Sequence, residues 1–221
     1  MGVPFEAHSD VSERIMQAAK DLFFARGFGR TALRTIASEA GTSESGVLRV
    51  YGSKSGLLRA VYASCWADIN ARLDVAMVTV ESDPDPCHRL VGLMRAVWQV
   101  YREDPPMMTF LLSHFGFRET NGLETIEDVD PTIDESVRQE YRRYLCRIHD
   151  LCNSVIDSRP DFARAGVTPA ALGHTFTSII YGIQTSWCMA QQEGGTTLPQ
   201  VSLDEALSAA KFFLRPEALA S

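Results

Sequence analysis

A chain of 221 residues, 45% of them hydrophobic, has ample apolar material for a packed core. No apolar run reaches the roughly 20 residues that cross a bilayer, and the start MGVPFEAHSD lacks the basic-then-apolar order of a signal peptide, so the sequence predicts a soluble, cytoplasmic protein. The formal net charge of −7 conceals an asymmetry: residues 1–60 carry eight basic side chains against six acidic ones, a net of +2, leaving −9 for the remainder, which suits a protein that meets a polyanion with one end only.

Helical periodicity dominates the whole chain and predicts an all-α fold. In the first helix Ile15, Ala18, Ala19, Leu22 and Phe23 fall on one face; Asp10 or Ser12 is the expected cap and Gly27 the stop. A short second helix follows, with Thr31 as its expected N-cap and Leu33, Ile36, Ala37 and Ala40 as its stripe. Thr42-Ser43 caps a third helix through Val50, ended by Gly52, and a long fourth runs from Ser53 towards Val80. Beyond the break at 81–86, five further segments are helical, at about 87–104, 106–117, 132–158, 169–193 and 203–214, with prolines at their boundaries. The polar, acidic stretch Glu119–Asp130 is expected to be a loop. The five cysteines, Cys65, Cys87, Cys146, Cys152 and Cys188, are odd in number and scattered, as reduced thiols would be.

The most informative spacing lies between Arg34 and Tyr51. Two short helices that cross closely need a small residue where they touch (Ala37), a glycine four later for the turn (Gly41) and an apolar residue six after that to lock the second helix (Val47). That is the pattern of a helix-turn-helix, whose second helix enters the major groove of double-stranded DNA. Ser43, Ser45 and Gly46 at its start then approach base edges and backbone, and Arg49, one turn on, reads a guanine or grips a phosphate. Thr31 and Arg34 flank the groove. Lys54 sits in the first turn of the fourth helix, where a cation opposes the helix dipole but free N–H groups attract phosphate, so it is read as a phosphate contact.

The segment RIMQAAKDLFFARGFGRTALRTIASEAGTSESGVLRVYGSKSGLLRAV resembles the DNA-binding region of TetR-like transcriptional regulators. The matching features are Ala25-Arg26-Gly27-Phe28, Thr31, Ile36-Ala37, Ala40-Gly41, and Ser53-Lys54 followed by Leu57-Leu58. The resemblance implies a three-helix DNA-binding domain at 10–56 and a larger helical ligand-sensing and dimerisation domain at 57–215. It also implies a non-enzymatic regulator, a repressor that binds a palindromic operator as a homodimer and is released by a small, largely apolar effector. Two departures stand out. Leu48 and Val50 occupy positions where the family often has aromatic residues, and Gly52 replaces its proline; no tyrosine stands there to make the family's tyrosine–phosphate contact, and Tyr51 is expected to pack inward.

In the body, Trp98, Tyr101, Met107, Phe110, Leu111, His114 and Phe115 could line an apolar cavity, with Tyr144, Ile148, Tyr181 and Thr185 completing its walls. An effector near Phe110, His114 and Phe115 would tilt the long fourth helix. Phe176, Ile180, Ile183, Trp187, Leu207 and Phe213 form faces that two helices do not bury alone and are assigned to a four-helix dimer interface, as the resemblance also implies. Cys146, His149 and Cys152 fan over about 120° of a helix and are a poor metal set; no metal or cofactor is expected. The rival reading is a helical enzyme or small-molecule binding module with an incidental helix-turn-helix.

Overall fold

The structure is a computed structural model. It describes residues 5–115, 131–190 and 202–213, with side chains described at 10–111, 135, 137–187 and 202–208. Among the described residues there are ten α-helices and no strand: α1 (Phe5–Arg26), α2 (Leu33–Glu39), α3 (Glu44–Tyr51), α4 (Lys54–Val80), α5 (Pro86–Glu103), α6 (Pro105–Phe115), α7 (Pro131–Ser158), α8 (Pro160–Arg164), α9 (Pro169–Ala190) and α10 (Leu203–Phe213). No helix among the described residues is long and apolar enough to cross a membrane.

Contacts gather these helices into two compact units, one from residues 1–68 and 106–141, the other from 69–105 and 142–221. The division between these units falls within α4, and α6 joins the N-terminal unit. An aromatic cluster gives the reason. The ring of Phe110 stacks on Tyr62 at 4.7 Å, tilts against Phe24 at 5.1 Å and lies parallel to Phe23 at 6.4 Å. In the same unit the expected stripes are buried: Ile15, Ala19 and Phe23 from α1, Ile36 and Ala37 from α2, Val47 from α3, and Leu57 and Val61 from α4. The helix α1 starts well before Asp10 and Ser12, so neither caps it; Asp10 pairs instead with Arg14 at 2.5 Å, and Ser12 faces α3.

In the second unit the apolar face of α5 (Leu90, Leu93, Met94, Val97, Val100, Tyr101) is buried. Helix α9 packs on α5, and α10 on both. Asp74 of α4 accepts from Arg143 at 2.5 Å and also from Arg147, joining α4 to α7. The helix α8, five residues long, was not expected from the sequence, where Pro160 read only as a boundary. Its start is organised by Arg159, which donates two hydrogen bonds to Asp161 at 2.9 and 2.6 Å and stacks 4.3 Å above the ring of buried Phe162. The paired guanidinium holds the Asp161 carboxyl below its ordinary range.

Candidate nucleic-acid interface

The helix-turn-helix assembles as its spacing requires. Gly41, at φ +64°, takes the left-handed conformation that turns the chain, and the Thr42 amide closes the turn on Ala37 O at 2.9 Å. Ala37 and Val47 are buried where α2 and α3 meet. Ser43 caps α3, its hydroxyl accepting from the Gly46 amide at 3.1 Å. Gly46 is itself buried, and a Cβ there would lie 2.4 Å from Thr42 Oγ1.

Two contacts at the far end of α3 were not legible in the sequence. The Tyr51 hydroxyl donates to Ser12 O at 3.1 Å and lies 3.1 Å from Ser12 Oγ, so the ring is turned inward onto α1, as expected, and is spent there. Gly56 in the first turn of α4 sits so close to α3 that a Cβ would stand 2.1 Å from Tyr51 O. Both contacts fix where the recognition helix points.

The expected DNA-facing residues divide into two groups. Arg34 and Arg49 are exposed, with no hydrogen-bond partner among the described residues, and Ser45 is exposed with its Oγ 2.9 Å from Ser43 Oγ. With Leu48, 42% exposed, Ser45 and Arg49 make one outward patch of α3, since residues three and four apart share a helix face. The others are occupied in holding the fold. Thr31 is 2% exposed and its hydroxyl donates to Gly27 O at 2.9 Å and Leu22 O at 3.3 Å; it locks the α1–α2 turn and does not cap α2, whose N-cap is Ala32. Buried Gly46 offers no backbone to a groove, and the Ser43 hydroxyl is engaged by the cap. Lys54 donates to Phe28 O at 2.7 Å and lies 4.1 Å above the Phe28 ring, and this partial burial lowers its pKa. The conflict between its charge and the α4 dipole is eased by a carbonyl and a π-face.

The candidate ligand residues also separate. Met107, Phe110 and Leu111 are buried in the first unit, Phe110 within the aromatic cluster. The side chains of His114 and Phe115, and of Phe213 in the dimer set, lie outside the described residues. In the second unit Tyr144 and Ile148 border, with Leu93, Val97, Phe176 and Ile180, a void of about 10 Å³, no more than the roughly 10–15 Å³ that one water needs, so this is packed core. Trp98 sits edge-on to Trp187 at 6.4 Å, and Tyr101 is buried. Tyr181 is 38% exposed, and the Thr185 hydroxyl bonds back to its carbonyl at 2.8 Å.

A larger recess was missed. A cleft of about 730 Å³ opens in the second unit, its apolar part formed by Leu90, Val155, Phe162, Leu172 and Phe176. Asp85, Cys87, His88, Arg95 and Arg159 contribute its polar part. The Asp85 carboxylate accepts from the Cys87 amide at 2.8 Å and caps α5, which draws its pKa down, while burial pushes the Cys87 thiol up. Arg95 pairs with Asp204 at 2.9 Å. The stretch 81–86 read only as a helix break, and nothing local in it announces a cleft.

Of the dimer set, Phe176, Ile180, Ile183 and Leu207 are buried within this chain, while Trp187 is partly buried against Trp98. The outward stripe of α9 is Ala171, His174, Thr175, Ser178, Tyr181 and Gly182. Cys146 is exposed and Cys152 buried, its thiol pushed up to about 11 by burial, so they do not converge with His149; no group of three potential metal ligands occurs among the described residues.

Residues 15–61 match the family model described as bacterial regulatory proteins, tetR family. No curated protein sequence matches the chain significantly. Among solved structures, the fold is similar to the transcriptional regulator FadR from Bacillus subtilis in complex with stearoyl-CoA, with a TM-score of 0.61 and 13% identity over 95% of this chain and 98% of that one. It is similar to AibR in complex with isovaleryl coenzyme A and operator DNA, with a TM-score of 0.59 and 14% identity over 93% of this chain and 98% of that one. A bacterial regulatory protein in the tetR family from Rhodococcus RHA1 gives a TM-score of 0.60 and 17% identity over 95% and 96% of the two chains.

Proposed function

We propose, from a TetR-like chain whose residues 15–61 carry the tetR-family pattern, that the protein is a transcriptional repressor, a homodimer that binds a palindromic operator and is released by a small, largely apolar effector. The observation that carries this reading is the helix α3, which presents Ser45, Leu48 and Arg49 outward while Val47 and Tyr51 anchor its other side. A helix so presented fits a major groove, and exposed Arg34 supplies a phosphate contact at its flank. No catalysis is ascribed to it.

The effector is assigned to the cleft of α5, α7, α8 and α9, whose volume of about 730 Å³ falls in the range of small-molecule sites, roughly 300–1,000 Å³. Arg95 and Arg159 already have carboxylate partners, so binding there rests on burial against Leu90, Phe162, Leu172 and Phe176. The second copy is assigned to the outward stripe of α9, where small residues let another helix approach closely. Structural neighbours that hold stearoyl-CoA or isovaleryl coenzyme A support a search among acyl compounds first.

The test is a duplex enriched by the protein from a randomised library, followed by anisotropy. The enriched duplex is expected to bind, and one of a panel of acyl thioesters and free acids to lower its affinity. Because linkage is reciprocal, saturating duplex must weaken binding of that compound by the same factor. Failure to enrich any sequence would refute the reading; a compound whose affinity ignores the duplex would refute the effector role assigned to it.

A further inference from the structure

Two apolar side chains on α3 are exposed, Leu48 at 42% and Val50 at 39%. Val47 is fully buried, and successive residues of an α-helix are turned by about 100°. Val50, three residues on, therefore stays within about 60° of the buried direction, whereas Leu48 lies about 100° away on the other side, next to Ser45. Leu48 is thus the apolar member of the outward patch, and exposed Glu44 and Ser45, four and three residues before it, are its polar neighbours there. Its isobutyl group has no hydrogen-bonding capacity and is 42% exposed. In a major groove the C5-methyl of thymine is the base-edge feature that offers an alkyl group apolar area to bury, whereas the ring nitrogens, carbonyl oxygens and amino groups presented there are acceptors or donors that it would leave unpaired.

We infer that Leu48 is a specificity-determining residue that selects thymine, by covering its methyl group, at one position in each half of the operator. This rests on the DNA-binding reading above and deepens it. Ser45 lies three residues before Leu48 and four before Arg49, so the thymine adjoins the base or phosphate that Ser45 addresses, with Arg49 on the far side of Ser45. Arg49 is the side chain with reach and unspent donors, so affinity is carried beside Leu48 and the methyl contact adds discrimination.

The probe is the duplex that the wild-type protein enriches from a library of roughly 20 randomised base pairs, two turns of DNA. Deoxyuridine, which lacks only the methyl, replaces thymine one position at a time. Burying one methyl is worth about fourfold in affinity, and a symmetric pair of replacements about 15-fold. The wild type is expected to show this loss at one thymine in each half. Leu48→Ala, a change at an exposed position that leaves the melting temperature intact, should bind the thymine and uracil duplexes equally. Val50→Ala should keep the wild-type penalty. Enrichment of a sequence whose uracil forms all bind like the thymine form would overturn the inference while leaving DNA binding standing. So would a penalty that survives in Leu48→Ala or vanishes in Val50→Ala. No enrichment by the wild type would overturn both readings.

Discussion

Replacing Gly56 by alanine sets two principles against each other with opposite signs. Glycine inside a helix is intrinsically less favourable than alanine by about 0.8–1 kcal/mol, so propensity alone predicts that Gly56→Ala stabilises the protein. The added methyl, however, would stand 2.1 Å from Tyr51 O, a backbone atom that cannot swing away as a side-chain end could. Ordinary contact would require α3 and α4 to part by about 1 Å, and that opposes the Tyr51–Ser12 hydrogen bond and the burial of Val47. Overpacking of this kind costs about 1–3 kcal/mol, and here the backbone origin of the clash puts it at the upper end. The expected net loss is about 1–2 kcal/mol, a fall of roughly 2–8 °C in Tm for a chain of this size. Thermal melting by circular dichroism reads it directly, and affinity for the enriched duplex should fall further because α3 is displaced. A Gly56→Ala protein as stable as the wild type, or more so, would show that α4 does not abut α3 as described.

Lys54→Ala is expected to lower Tm while leaving the slope of log affinity against log salt unchanged, because the ammonium is held by Phe28; a slope shallower by about one unit in a salt titration would restore it as a phosphate contact. The Asp161 carboxyl has a folded pKa below its ordinary 3.8, so its stabilisation is complete above that value and is lost as pH falls through the folded value. Wild type and Asp161→Asn should therefore differ in Tm at neutral pH and converge in acid below pH 3.8; a constant difference down to pH 2 or so would contradict the pairing. Ser178→Arg on the outward stripe of α9 should give a monomer in sedimentation equilibrium with its helical content intact, and a dimer that persists would move the interface elsewhere.

The parts of this fold that the sequence made legible are those governed by near neighbours. The buried faces of α1 and α2, the turn at Gly41 and the lock at Val47 follow from helical period and local spacing, and all are found except that Leu33 is only half-buried. What escaped depends on partners far along the chain. Lys54 meets Phe28 across 26 positions and Tyr51 meets Ser12 across 39, and no local pattern distinguishes an ammonium seated on a carbonyl from one free to hold a phosphate. Thr31 failed as a cap for a related reason: its hydroxyl found two carbonyls of the preceding turn before any amide of α2. Helix α9 misled through its composition. Bulky and small residues alternate around it, so periodicity could not say which of its faces this chain's own core buries. The cleft is built from the ends of four helices, and its shape exists only once they are placed.

The position of Phe110 bears on how such a protein can be taken apart. The unit that carries α3 is not a continuous stretch of chain, for it borrows a ring from α6, more than forty residues beyond the end of its first segment. A fragment ending at residue 68 would leave Tyr62, Phe23 and Phe24 facing an empty place, with a loss comparable to truncating a buried phenylalanine, about 3–5 kcal/mol. The head is thus not a detachable cassette. Grafting residues 10–56 onto a foreign body would transplant the recognition helix without the side chain that closes the core under α1, and a chimera that keeps its helices and its melting temperature must also bring α6.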